Sequence, residues 1–313
     1  MRRWPYGLLA VAAGVLLSSQ GRINGQLGAQ LHDGVVAGLI STALGLVVLV
    51  TSVVCTPAGR RGAGRVAASL RKRDLRWWEC LGGCVGAYLI VTQGVTITAI
   101  GVAVFTVATI SGQLISGLFV DRAGIGPAGP QPITGWRLLG AGLAVGAVVL
   151  AVQEQFARPQ NVVLFVLPAI AGFGLAWQSA VNGQVRDASQ NAVVAAALNF
   201  TAATTTLLLA AVVDVVLRGW PVDFPSEWWL YAGGAFGIFV IGISVVAVRA
   251  VGVLLLSLCL VSGQLLGAVA LDVFVPARSA HLSFAEVLGT VITLFAVVVA
   301  ALPIRTGSER MAA

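Results

Sequence analysis

The chain has 313 residues, 58% of them hydrophobic and 10% charged, with a formal net charge of +7. Soluble domains carry roughly 25% charged residues, so a water-soluble fold is excluded and an all-α integral membrane protein is expected. The bases sit in short breaks between apolar runs and are not interleaved with aromatics. That pattern argues for membrane orientation and against a nucleic-acid partner.

Ten apolar runs are predicted as membrane helices, at 5–24, 33–54, 77–97, 99–120, 136–153, 160–182, 191–217, 228–248, 251–273 and 284–303. Arg2-Arg3 ahead of the first run resembles a signal peptide. No small-x-small site closes that run, so a retained first helix is expected. The second break holds Arg60, Arg61, Arg65, Arg71, Lys72, Arg73 and Arg76. It is assigned to the cytoplasm, and ten crossings then put both termini there. Fifteen of the 19 basic residues fall on that side, seven in this break and eight elsewhere. Cys55, Cys80, Cys84 and Cys259 match no metal or redox spacing.

The chain repeats itself. A shift of 158 carries Gln20, Asn24, Gly25 and Gln26 onto Gln178, Asn182, Gly183 and Gln184. A shift of 151 carries Trp77-Trp78 onto Trp228-Trp229, and Gly82, Gly83 and Gly86 onto Gly233, Gly234 and Gly237. It also carries Gly101 onto Gly252, Ser111-Gly112-Gln113-Leu114 onto Ser262-Gly263-Gln264-Leu265, and Asp121 onto Asp272. Two five-helix units are therefore expected, 1–154 and 155–313. Five is odd, so the second unit enters from the opposite face and the repeats are inverted. Inverted repeats commonly build secondary transporters with a site at the repeat interface.

The Q-x-x-x-N-G-Q pattern at the end of helices one and six, the WW…GG-x-x-G opening of helices three and eight, and S-G-Q-L…D in helices four and nine resemble the drug/metabolite transporter (DMT) superfamily. The resemblance is to its bacterial branch of inner-membrane exporters, in the fused ten-helix form, and covers nearly the whole chain. It implies transport of a small metabolite or drug-like molecule, without naming one.

Gln20 with Asn24, and Gln178 with Asn182, stand at i,i+4 and share a helix face. A neutral amide turned to lipid would leave its polar atoms unpaired at several kcal/mol. Each pair is expected to line one mouth of the pathway or to hold helices together, with the following glycines in tight turns. Gln113 and Gln264 are expected deeper, as substrate contacts; Trp177 and Tyr88 are read first as lipid-belt or core packing and second as aromatic walls. Gly82 with Gly86, Gly233 with Gly237 and Gly142 with Gly146 are read as close helix contacts. Glu79 is the acidic candidate for proton coupling. Arg22 is placed beside the outer mouth, snorkelling or attracting an anion.

His32 and His281 have no nucleophile or carboxylate arrangement around them, and no Walker A or Rossmann motif occurs. No enzyme, metal or cofactor is expected. The partners are the lipid bilayer, a small-molecule substrate and, as a homodimer, a second copy of the chain. A channel-like facilitator or lipid scramblase is the alternative reading. The ten-span order predicts that cysteines placed at Arg71 and Ser308 react with an impermeant maleimide only from the cytoplasmic side. Labelling of either from outside would refute that order.

Overall fold

A computed structural model describes residues 4–126, 129–130, 132–152, 162–219, 224–251, 253–275 and 284–300. Gly252, the expected unit boundary at 154, His281, and Ser308 lie outside the described residues. The described residues are almost wholly helical. In order they form α1 (Trp4–Gln30), α2 (Gly34–Cys55), α3 (Pro57–Lys72), α4 (Gly83–Ala123), α5 (Gly135–Val152), α6 (Val162–Ser189), α7 (Ala192–Arg218), α8 (Gly233–Val251), α9 (Val253–Phe274) and α10 (Phe284–Ala300).

Four segments are long and apolar enough to cross a bilayer, by length and composition: Gly34–Cys55, Trp77–Ala123, Leu164–Ser189 and Ala192–Leu217. The second is 47 residues long, enough for two passes at about 20 residues each. Shorter apolar stretches lie at Trp228–Val240, Cys259–Phe274 and Val287–Val299. Large apolar side chains such as Val47, Leu209, Val216 and Phe239 are exposed, while Thr92, Thr96, Thr109 and Ser111 are buried. That inside-out distribution suits a lipid surround, where polar groups must be satisfied within the protein.

The helix ends have local causes. Asp33 accepts from the Val35 and Val36 amides at 2.8 and 3.0 Å, starting α2. Asn191, at the corresponding place 158 residues on, accepts from Val193 and Val194 and starts α7. Side-chain oxygens of this kind satisfy the first free N–H groups of a helix.

Two expectations are corrected. The basic break after α2 is largely a helix, not a loop. Thr56 Oγ1 accepts from the Gly59 amide at 3.1 Å, Pro57 stands in the first turn, and Arg73 closes α3 in the left-handed region at φ 64. Its three glycines and many charges hide this pattern from a search for apolar runs. Second, α1 and α6 run past their expected ends, to Gln30 and Ser189. Gly25 and Gly183 are therefore helical and make no turn.

The runs predicted at 77–97 and 99–120 are the two arms of α4, here α4a (83–100) and α4b (102–123). They meet at Gly101, whose φ of 80 and ψ of 163 interrupt the helix. A side chain would be strained there, and glycine is not. Around the break Ile97, Ile100, Val102, Ala103, Val104 and Phe105 form an apolar core with Phe165 and Ala268.

The two halves touch through matched places. A β-carbon on Gly263 would collide with the Val11 carbonyl, and one on Gly112 with the Ala169 carbonyl. A β-carbon on Gly14 would strike the Leu260 carbonyl, and one on Gly172 the Thr109 carbonyl. Each pair maps onto the other under the two sequence shifts. So α1 lies backbone-to-backbone on α9, and α6 on α4b. Gly38 of α2 meets Leu207 of α7, and Gly45 meets Phe200, so these two helices run in opposite senses. Gly142 and Gly146 have open space around them, so the close contact expected there is absent. Gly112→Leu and Gly263→Leu should each overpack one of these seams at roughly 1–3 kcal/mol. A lower melting temperature of the detergent-purified protein in both variants is the expected result.

Candidate functional site

Helices three and eight of the sequence reading begin as 3-10 turns, Trp77–Leu81 and Trp228–Ala232, which lead into glycine pairs. These glycines receive the amides of the opposite half. A β-carbon on Gly82 would stand 2.9 Å from Asn182 Oδ1, and one on Gly86 3.3 Å from Gln178 Nε2. In the mirror place, a β-carbon on Gly233 would collide with Asn24 Oδ1, and one on Gly237 would stand 3.5 Å from Gln20 Nε2. The amide motif and the glycine motif are thus two sides of one contact, made twice and crosswise. The glycines act here by lacking a side chain, which lets the carboxamides lie on the helix backbone.

The two clusters differ in their hydrogen bonds. Asn199 Oδ1 accepts from Gln178 Nε2 at 3.0 Å and from Asn182 Nδ2 at 3.2 Å. In the other cluster Asn24 Nδ2 donates to Gln93 Oε1 at 2.9 Å. Ser41 holds the place that Asn199 holds in the second half, with its Oγ buried. Asn24 is 1% exposed. Its Oδ1, the Ser41 Oγ and Gln178 Oε1 are buried without a hydrogen-bond partner. Buried unpaired acceptors cost about 1–3 kcal/mol each, so this seam favours a guest or a second state that brings donors. Asn199 and Gln93 were not singled out from the sequence. Asn199 could have been found from the first-half Ser41 by the same shift that aligns the amides.

Gln113 and Gln264 are half-buried, and their side-chain amides have no hydrogen-bond partner among the described residues. Each follows a glycine at a backbone seam. Trp177 stacks on Trp78 with ring centres 6.4 Å apart, and the Arg76 guanidinium lies 5.8 Å from the Trp78 ring. Trp78 therefore has a packing partner, while Trp77 is exposed. The Tyr88 hydroxyl donates to the Leu167 carbonyl at 3.4 Å. Glu79 is buried, and its Oε2 accepts from the Arg76 amide at 2.7 Å, closing a capping box. That gives it a structural duty beside the one expected.

A carboxylate not picked out for the mechanism stands at the centre. Asp272, 6% exposed, accepts from the Val102 amide at 3.0 Å and the Ala103 amide at 2.6 Å. It caps the first turn of α4b beyond the Gly101 break. A helix start interrupted by glycine exposes free N–H groups and a positive dipole end, which a carboxylate satisfies. Arg22, 5% exposed, donates through Nη2 to the Val275 carbonyl at 2.6 Å and attracts Asp272 electrostatically. It is therefore locked to the end of α9 and does not snorkel. Only one residue separates the runs 77–97 and 99–120. A turn that short signals that the next helix needs an acceptor from elsewhere.

Asp121 is the counterpart of Asp272, and the helix start matched to Gly101 falls at Gly252, outside the described residues. Asp121 pairs with Arg137 in a partly exposed ion pair, not with the adjacent Arg122. Beside it, between α4b and α6, opens an apolar cleft of about 390 Å³, lined by residues that include Ser116, Phe119, Ile125, Phe173 and Trp177. None of the six candidate amides lines it. Among the described residues no cluster of His, Cys, Asp or Glu could hold a metal.

The chain matches a family model described as "Putative inner membrane exporter, YdcZ", a DMT family, over residues 5–150 and again over 163–299. No curated protein matches it.

Asp272→Ala should uncap Val102 and Ala103 and strand the buried Arg22 charge, destabilising the protein by about 3–5 kcal/mol. Arg22→Gln should restore part of that loss when added to Asp272→Asn. Thermal melting of the single and double variants measures the coupling.

Proposed function

The chain belongs to this exporter family of the drug/metabolite transporter superfamily, and on that premise we propose that it is a secondary transporter working by alternating access between two inverted five-helix units. Membership makes it a multi-pass inner-membrane protein. The mechanism, the inversion and the site residues are our reading.

Three observations support inversion. The family model matches twice. The helices α2 and α7, second in each unit, pack in opposite senses. Amide-to-glycine and backbone-to-backbone contacts recur crosswise under the same shifts. A two-fold relation between units accounts for all of these. With it, each unit can take the other's conformation, and the pathway opens first to one face and then to the other.

The observation that carries alternating access is the difference between the two ends. At one end Asp272 is buried and caps α4b. At the other, Asp121 is drawn out to Arg137 beside an open cleft. We read these unlike surroundings of matched residues as one of two states that the units exchange. In this reading the Asp272 end is closed and the Asp121 end open. By the placement of bases, the open end is cytoplasmic.

The solute passes the seam where Gln20, Asn24, Gln178 and Asn182 meet the opposing glycines, with Gln113 and Gln264 as deeper contacts. The pathway is uncharged along these residues. Free buried acceptors on Asn24 and Gln178 favour a solute that presents N–H or O–H groups. Glu79 is the proposed proton-coupling carboxylate, buried beside the stacked Trp78 and Trp177.

Counterflow in proteoliposomes, with a solute found by thermal-shift screening of a metabolite library, tests this reading. Gln113→Ala, Gln264→Ala and the pair Gln178→Ala/Asn182→Ala should each lower flux about tenfold, the effect of 1–2 kcal/mol in lost hydrogen bonds, with insertion intact. Unchanged flux in all three would remove the amides from the pathway. Flux that neither saturates nor shows counterflow would favour the channel. Glu79→Gln preserves the capping box. It should abolish the pH dependence of flux while leaving melting unchanged.

A further inference from the structure

The basic break after α2 orients the chain by its charge, and the structure makes it a surface. In α3 the residues Arg60, Arg61, Arg65, Arg71 and Lys72 are all exposed, while Gly62 and Val66 are buried. The helix contains no acidic residue. Its buried side packs on the end of α6 and the start of α7. Val66, Leu75, Val185, Val194 and Ala195 form one apolar cluster there, and Arg65 Nη1 donates to the Ser189 carbonyl at 3.4 Å.

One flank of α3 is left uncovered. Between α2, α3 and α7 runs an apolar groove of about 310 Å³, lined by residues that include Val50, Ala63, Ala67, Leu70, Val194 and Thr201. Ala63 and Ala67 are one turn apart on its wall and exposed. Their small side chains keep it open. At 1.5 Å per residue along α7, the groove reaches roughly 15 Å from the helix start to Thr201, well into the hydrocarbon layer. Arg60 stands three residues before Ala63 and Arg71 four after Ala67, so the same helical stripe carries a cation at each end of the groove.

We infer that this groove is a binding site for an anionic glycerophospholipid, with an acyl chain between α2, α3 and α7 and the phosphate held by the α3 arginines. Both halves of such a molecule are matched at once: an apolar slot opening toward the lipid, and a basic rim at headgroup height. A basic amphipathic helix beside a span attracts anionic headgroups by about a factor of five per arginine or lysine near the surface. The nearest acidic residues in sequence are Asp74 and Glu79, of which Glu79 is buried in its capping box. Asp187, exposed near the end of α6, is the acidic group on the packed neighbour. The inference stands on α3 and its groove and does not depend on the transport reading.

Native mass spectrometry of the full chain, incubated with equal amounts of phosphatidylglycerol and phosphatidylcholine, tests it. Phosphatidylglycerol adducts should predominate by more than about tenfold and persist at higher collision energy. Arg60→Gln/Arg71→Gln should reduce that preference by a factor of ten or more, from about fivefold per arginine. Ala67→Trp, which fills the groove, should reduce retention of both lipids. Glycerol 3-phosphate, which has the anionic headgroup chemistry and no chain, should fail to displace the bound lipid at equal concentration. Equal retention of the two lipids by the wild-type chain, or full displacement by glycerol 3-phosphate, overturns the inference. The wild-type comparison decides even if a variant misfolds, since Arg60 also donates to the Val54 carbonyl.

Discussion

A carboxamide placed inside a membrane helix must find its hydrogen bonds within the protein, and here it meets the bare backbone of a glycine-led helix from the other half. That single requirement organises the structure. The amides of α1 sit against Gly233 and Gly237, and those of α6 against Gly82 and Gly86. Each half supplies hydrogen-bond partners for its own amides, Gln93 for Asn24 and Asn199 for Gln178 and Asn182, and the glycines of the other half make room for them. Lipid offers helices no hydrophobic reason to associate, so close backbone packing and buried polar contacts must hold the halves together. The glycine seams of α1 on α9 and α6 on α4b supply the first, and the bonds from Ser18 to the Gln264 carbonyl and from the Val102 and Ala103 amides to Asp272 supply the second.

The broken helix α4 follows from the same economy of polar groups. Turning the chain at Gly101 allows two passes with almost no loop, but strands the first amides of α4b. Asp272 reaches across from α9 to satisfy them, and Arg22 comes from α1 to balance its charge. Three helices are thereby tied to one point by groups that would be costly to expose singly. The counterpart Asp121 shows that such a carboxylate can also sit elsewhere, paired at the rim.

Much of this was legible in the sequence. Apolar runs located the helices, because a span needs about 20 residues of unbroken hydrophobicity. The matched offsets revealed the duplication, because each motif occurs twice. What stayed hidden was anything defined by pairing across the halves. Gln20 and Gly237 are 217 positions apart, and no local pattern links them, so the amides and glycines read as separate features. Asp272 stood out only as the match of Asp121, because its partners are backbone amides 170 residues away. The helix α3 escaped because its stability comes from Thr56, Pro57 and packing on α6, not from an apolar run. Where the sequence suggested more order than exists, as for Gly142 and Gly146, spacing alone had stood in for a contact.

The crosswise seating of amides on glycines also bears on how the protein is made. Asn24 leaves the ribosome about 200 residues before Gly233, a delay on the order of 10–40 s at ordinary elongation rates. During that time Gln93 of the same half can take the Asn24 Nδ2, but the glycine helix that finally covers the carboxamide is missing. Nascent α1 must linger where water or the insertion machinery can accommodate it. Final burial of its polar face is therefore a late, post-insertional event, completed only when the eighth helix arrives.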